Sequence, residues 1–257
     1  MTGLADHHSH LMPDDDALGP ATWSVEHLAP YVEAARARGV EALAVTEHVY
    51  RFAEIDAVLP DPAALPGPYW DTQPKSALAD YRAGIEEAIA AGLPLLLGLE
   101  LDWIAEAEAG LRALADGYRW DVVLGSVHFV EGGAVDDPRW WVWDVVDDPA
   151  EVYARYYRAL RASARSGIYD VITHPDLVKY FGHRLTGPAL DALHEETAVA
   201  FAEAGVCVEI NTAGLRKPVG ELYPQLSFLR RCREAGVPLS LGSDAHVAAD
   251  AARDFDL

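Results

Sequence analysis

Seven times along this chain a short apolar run stops at a histidine, glutamate, asparagine or aspartate, and a helical stretch then leads to the next run. The first is Leu4-Ala5, running into Asp6-His7-His8-Ser9-His10. Residues two apart in a strand point to one face, so His8 and His10 project together with Asp6 behind them on the same side. Glu41–Thr46 ends in Glu47-His48, Pro94–Leu99 in Glu100 and Trp120–Val127 in His128. Tyr169–Thr173 ends in His174, Val206–Ile210 in Asn211, and Pro238–Ser243 in Asp244-Ala245-His246. Chance placement would not return cation-binding side chains to the same end of every run.

Between the runs the apolar spacing is helical. It predicts helices over Val25–Arg38 (Leu28, Val32 and Ala35 inward, Gly39 as stop), Lys75–Ala91, Ala105–Ala115, Pro149–Ser166, Pro188–Ala204 and Pro224–Ala235. Residues 49–74 and the Trp-rich 129–148 lack periodicity and read as long loops. The second either caps a site or packs on a rim. Short strands that are apolar on both faces and alternate with helices indicate an α/β fold with a parallel sheet. Over 257 residues, this alternation predicts a nearly closed β/α barrel forming one domain, 1–257. The site would lie where the strands end. An open doubly wound sheet is the competing arrangement, but it would leave several strand-end donors without a common centre.

The formal charge of −21, with no Lys/Arg run, argues against a nucleic-acid partner. No apolar run reaches the ~18–20 residues of a membrane span, and no signal peptide precedes the first strand. Cys207 and Cys232 have no metal-site or CxxC spacing and read as reduced thiols of a cytoplasmic protein. Histidine and carboxylate donors without thiolate suit Zn²⁺, Mn²⁺ or Fe²⁺. Glu100, with two oxygens at the end of the central strand, could bridge two ions or serve as a salt-bridged barrel carboxylate. Asp14-Asp15-Asp16 is either an exposed acidic turn or the source of a peripheral ligand, Asp16 being the best placed. His27 and His194 read as surface residues. His183 is either at the surface or within reach of a substrate.

Six ordered motifs resemble those of the PHP (polymerase and histidinol phosphatase) family. They are Asp6-x-His8-x-His10, Thr46-Glu47-His48, Gly98-Leu99-Glu100, Gly125-Ser126-Val127-His128, Thr173-His174-Pro175 and Gly242-Ser243-Asp244-Ala245-His246. His174–Lys179 and Glu209–Pro218, followed by Tyr223-Pro224, are most similar to its monofunctional histidinol-phosphatases. The resemblance implies a distorted, TIM-like seven-stranded (β/α)7 barrel with a trinuclear divalent metal centre. One ion would be held by His8, His10, Glu100 and Asp244. A second would be held by Glu100, His128 and His174, and a third by His48 and His246 with Asp16 or Glu47.

The reaction that fits is hydrolysis of a small phosphate monoester, histidinol phosphate, with cations neutralising the phosphoryl oxygens. Arg216, Lys179 and Arg184 are candidate phosphate donors. Asp244 or His246 would protonate the leaving oxygen. Glu209, Glu47, Asn211 and the aromatics Tyr50, Phe52, Tyr180 and Phe181 would receive the amine and imidazole. The alternatives are a PHP-type nucleotide or nucleic-acid phosphoesterase and a non-catalytic metal-binding module. The sequence gives no oligomeric state.

Overall fold

The computed structural model describes residues 3–11, 23–59 and 75–256, so Asp14–Asp16, including the candidate ligand Asp16, lie outside the described residues. Every apolar run becomes a strand: β1 (Leu4–Asp6), β2 (Val40–Val45), β3 (Leu95–Asp102), β4 (Val122–Ser126), β5 (Val171–Ile172), β6 (Cys207–Asn211) and β7 (Leu239–Gly242). They pair in chain order, each pair parallel. The connecting helices are α1 (Val25–Ala37), α2 (Leu78–Ala90), α3 (Glu108–Asp116), α4 (Pro149–Ser166), α5 (Pro188–Ala204) and α6 (Leu226–Glu234). Their ends follow local chemistry. Ser24 caps α1 by accepting from His27 N–H, and Asp148 caps α4 ahead of Pro149. The loop after His128 holds a hairpin pairing Phe129–Val130 with Gly133–Ala134, then a short helix, Val142–Val145. Among the described residues no helix is long and apolar enough to cross a membrane.

The sheet closes on itself just past the ends of β1 and β7. His7 N–H donates to Leu241 O at 2.9 Å, Asp244 N–H to His8 O at 2.9 Å and His10 N–H to Ala245 O at 2.7 Å. The fold is therefore a distorted seven-stranded β/α barrel, and the open doubly wound sheet is ruled out. Asp6 fastens this seam. Its buried carboxylate accepts from Ser243 N–H (3.0 Å), the Ser243 hydroxyl (2.5 Å), Ala252 N–H (2.9 Å) and His8 N–H (3.2 Å). Strand alternation had put Asp6 on the side of His8 and His10. It serves the barrel wall instead, because these donors lie at the β1–β7 junction.

Alternation along the strands sorts the interior. Leu43, Val45, Leu97, Leu99, Leu101, Val123, Ile172 and Val208 join the large core shared with the helices. Ala44, Val122, Leu124 and Val171, with Leu96 and Cys207, form a separate cluster that fills the barrel's lower interior. The same period of two carries that inner face upward to Thr46 and His48, to Gly98, Glu100 and Asp102, to Ser126 and His128, to Thr173, and to Glu209 and Asn211. A polar tier thus stands directly on an apolar plug. Gly98 permits the close approach, since a Cβ there would lie 2.6 Å from Thr46 Cγ2 and 2.8 Å from Val122 Cγ1.

Cys207 and Cys232 are both unpaired. His194 corrects a surface expectation: only 1% exposed, it stacks on Phe228 with ring centres 4.7 Å apart. Tyr157 gives its single proton to Asp176 Oδ1, so His194 Nε2, 3.0 Å from the Tyr157 oxygen, is the donor there. α5 presents His194 inward because the helix turns a wider face to the core than its apolar residues mark.

Asp6→Ala is expected to lower stability by roughly 2–4 kcal/mol by stranding several buried donors, measurable by urea denaturation with circular dichroism. Burial pushes the His194 imidazole down to about 4. Between that value and the ordinary ~6.5 the unfolded chain binds the extra proton, so stability falls as pH falls through this window. The loss is expected to reach on the order of 3 kcal/mol by pH 4, and His194→Gln should flatten that limb in thermal melts recorded from pH 7 to 4.

Candidate metal centre

β3 runs two residues beyond Glu100, so this carboxylate stands inside the barrel rather than past the strand end, fully buried. Its Oε2 lies 2.6 Å from His48 Nδ1, 3.4 Å from His10 Nε2 and 3.5 Å from His8 Nε2. Its Oε1 lies 3.1 Å from His174 Nε2 and 3.7 Å from His128 Nε2. Asp244 Oδ1 approaches the same nitrogens of His8 (3.6 Å) and His10 (3.4 Å), and His246 Nδ1 at 3.7 Å. The His10 ring stacks on His48 at 4.0 Å and on His246 at 4.4 Å. Two of these residues hold unusual backbone, with φ +28° at His174 and +51° at Asp244.

The donors fall into four overlapping sets, in each of which the ligand atoms lie within 4.8 Å of one another: His8/His10/Glu100, Glu100/His128/His174, His10/His48/His246 and His8/His174/Asp244. The arrangement fits divalent cations. His8 Nε2 and His10 Nε2 are 2.9 Å apart, a separation that two bare lone pairs tolerate only with a proton or a cation between them. Glu100 Oε2 and His48 Nδ1, 2.6 Å apart, do not meet in hydrogen-bond geometry, and His174 Nδ1 is buried without a hydrogen-bond partner. The donors are nitrogen and oxygen of intermediate hardness, suited to zinc, manganese or iron.

Electrostatics follow from crowding. Burial alone would raise Glu100, but His48 and His8 outweigh it and hold the carboxyl well below its ordinary range. Asp244 is likewise held low by His8, His10 and His246 against its burial. Burial, reinforced by His10, pushes His48 down to about 3. His128 goes the other way: burial opposes its charge, yet Asp102 Oδ1, 2.6 Å from Nδ1, raises it to about 10. Asp102 was not read from the sequence. The available signal was parity, since it stands two residues beyond Glu100 on the same strand face.

The other residues expected at the site are held by protein partners. Glu47 is not among the grouped donors. Its Oε1 accepts from Leu11 N–H at 2.6 Å, and its Oε2 lies 3.4 Å from Arg51 Nε and 3.8 Å from His10 Nδ1, behind the ring. Lys179 is held among acidic and carbonyl groups. It is 1% exposed, with Nζ 2.9 Å from Asp176 Oδ2, 2.9 Å from Leu222 O and 3.4 Å from Glu221 Oε2. Arg184 pairs with Glu221 at 2.9 Å on the surface. Arg216 donates to Ser243 O at 2.7 Å and faces Asp250 and Asp254 at 3.7 and 3.4 Å, beside the turn carrying Asp244. Glu209, expected to meet the substrate, is buried and accepts from His174 N–H at 2.6 Å and Asn211 Nδ2 at 3.0 Å, with His8 Nδ1 at 2.8 Å. Asn211 also reaches Asp244 Oδ2 at 3.4 Å. In the Trp-rich loop, Trp143 stacks on His183 at 4.4 Å and Trp141 meets Phe181 edge-on at 5.5 Å.

The profile of the PHP domain matches residues 22–213. The chain belongs to the PHP-domain family. A relative from Deinococcus radiodurans named "probable histidinol-phosphatase" is 34% identical over 253 residues, covering 96% of this chain and 87% of that protein. The histidinol-phosphatase of Bacillus subtilis is 28% identical, covering 88% of this chain and 90% of its own. Among solved structures, HisK of Listeria monocytogenes superposes with a TM-score of 0.77 at 19% identity, covering 98% of both chains. The histidinol phosphate phosphatase of Lactococcus lactis, solved with zinc, L-histidinol and phosphate, gives 0.72 at 22% identity, covering 96% and 87%. PHP enzymes use a polynuclear metal centre, and the four histidine and carboxylate groups among the described residues of this chain could hold one.

Lys179→Met is expected to leave Asp176 buried and uncompensated, costing about 3 kcal/mol of stability in chemical denaturation. KM for a phosphate ester should stay within twofold of the unmodified protein; a large rise in KM would return Lys179 to the binding site.

Proposed function

We propose that this PHP-domain chain is a histidinol-phosphatase, a metal-dependent hydrolase releasing phosphate from L-histidinol phosphate, and that it acts in the cytoplasm in histidine biosynthesis as one catalytic domain. The observation that carries the reading is the convergence of five histidine rings on the two oxygens of Glu100 inside the barrel. The near full-length likeness to a relative named "probable histidinol-phosphatase" supports the same substrate.

His8, His10, Glu100 and Asp244 would hold one ion, Glu100, His128 and His174 a second, and His48 and His246 a third. When bound, the cations supply the positive charge that neutralises phosphoryl oxygens and the field that acidifies water. The chain's own residues do the rest. Asp102 orients His128, and the Ser243 carbonyl held by Arg216 sets the turn that aims Asp244 inward. Asp244 is held ionised by three histidines, so it acts as a ligand and proton acceptor rather than as the acid. With Lys179 and Arg184 engaged elsewhere, the charge that recognises phosphate comes mainly from the cations.

The test is phosphate release from histidinol phosphate, from nucleotides and from single-stranded DNA, with and without chelator. Release is expected from histidinol phosphate first, is expected to cease with chelator, and in folded His128→Ala should fall beyond the roughly 100-fold that changes behind a metal ligand cost. Turnover that survives complete metal removal, or a preference for DNA, would overturn the assignment.

A further inference from the structure

Glu209 does more than fill the barrel. Its two oxygens collect donors from three strand ends. His8 Nδ1 lies 2.8 Å from Oε1. Oε2 accepts the Thr173 hydroxyl, the His174 N–H at 2.6 Å and the Asn211 amide at 3.0 Å. The same Asn211 amide extends to Asp244 Oδ2 at 3.4 Å. Everything tied to this one carboxylate is therefore a member of the donor set His8/His174/Asp244 or a residue directly beside it.

The hydrogen-bond roles settle by elimination. A carboxylate only accepts. Thr173 has one hydroxyl proton, and it goes to Glu209 Oε2. Thr173 Oγ1, 2.7 Å from His8 Nδ1, then acts as an acceptor there. The proton of a neutral His8 ring consequently sits on Nδ1, shared between Glu209 Oε1 and Thr173 Oγ1, and the Nε2 lone pair faces Glu100 and Asp244. A second, independent observation is the space kept for the carboxylate. A Cβ at Gly242 would collide with Glu209 Oε1 and lie 2.8 Å from His8 Cβ, so β7 carries no side chain where Glu209 and His8 meet.

We infer that Glu209 is a positioning residue that fixes the His8 tautomer and, through Thr173, His174 N–H and Asn211, sets His8, His174 and Asp244 at their mutual distances before any cation arrives. The inference rests on the metal-dependent reading of the site and adds a residue that would touch neither cation nor substrate.

Zinc-loaded protein and its Glu209→Gln variant are compared for the chelator concentration that removes half of the zinc, and for kcat and KM on histidinol phosphate. Glu209→Gln is expected to release zinc at about 10- to 100-fold lower chelator, with KM of the fully loaded variant within twofold. Thr173→Val, which keeps the carboxylate and removes one donor, is expected to shift in the same direction by less, and it decides the question should Glu209→Gln fail to fold. Zinc retention unchanged in the folded variants, with a raised KM for Glu209→Gln, would assign Glu209 to the substrate and overturn the inference. If the unmodified protein releases no phosphate from histidinol phosphate, the proposed reaction fails, while the zinc comparison still decides the role of Glu209.

Discussion

A fully buried carboxylate at the centre of the barrel is the constraint on which the rest of the interior depends. An ion taken out of water is stable in a protein only with charge and hydrogen bonds arranged around it. Glu100 meets that condition with imidazoles from the ends of β1, β2, β4 and β5. An apolar side chain at residue 100 would relieve the electrostatic demand and leave the histidines without a common focus. The barrel tolerates the arrangement because its polar tier is confined to the upper interior. Below it, Ala44, Val122, Leu124 and Val171 exclude water and make the floor rigid.

Much of this was legible in the sequence because strand register is strict. The period of two that buries alternate residues also fixes which polar residues share the inner face, and apolar runs broken by helical spacing give the parallel order of the strands. The donors His8, His10, His48, Glu100, His128, His174, Asp244 and His246 were visible as a recurrence, and the structure brings them together. The surroundings of the cations were not legible. Cations in loops near strand ends suit phosphate, yet the residue type of Lys179, Arg184 and Arg216 carries no information about which acids fold against them. Asp176, Glu221, Asp250 and Asp254 claim them through tertiary contacts. His194 misled for the related reason that a polar residue on a helix face need not mark the solvent side when a tyrosine hydroxyl lies across from it. Asp6 misled because three of its four donors belong to residues more than two hundred positions away.

The site has two layers with different duties. Facing inward are rings and carboxylates whose lone pairs converge. Behind them stand Asp102, Glu47 and Glu209, each beside the far nitrogen of a ring, at 2.6, 3.8 and 2.8 Å. Such backing carboxylates orient imidazoles and increase their basicity. They also explain why so acidic a chain gathers histidines without mutual repulsion emptying the pocket. Each ring has an acid close by.

The seam between β1 and β7 has a consequence for how the molecule is made. His8 and His10 follow the barrel's first strand, and the residues that complete their surroundings, Asp244 and His246, follow its seventh. Until β7 is made, β1 has one neighbour, β2, and an unfilled edge where β7 will dock. Contacts of such long sequence separation close late and slowly. Ligand assembly in this barrel therefore waits on β7, and a nascent chain stalled before residue 240 would carry most of these histidines but no complete pocket.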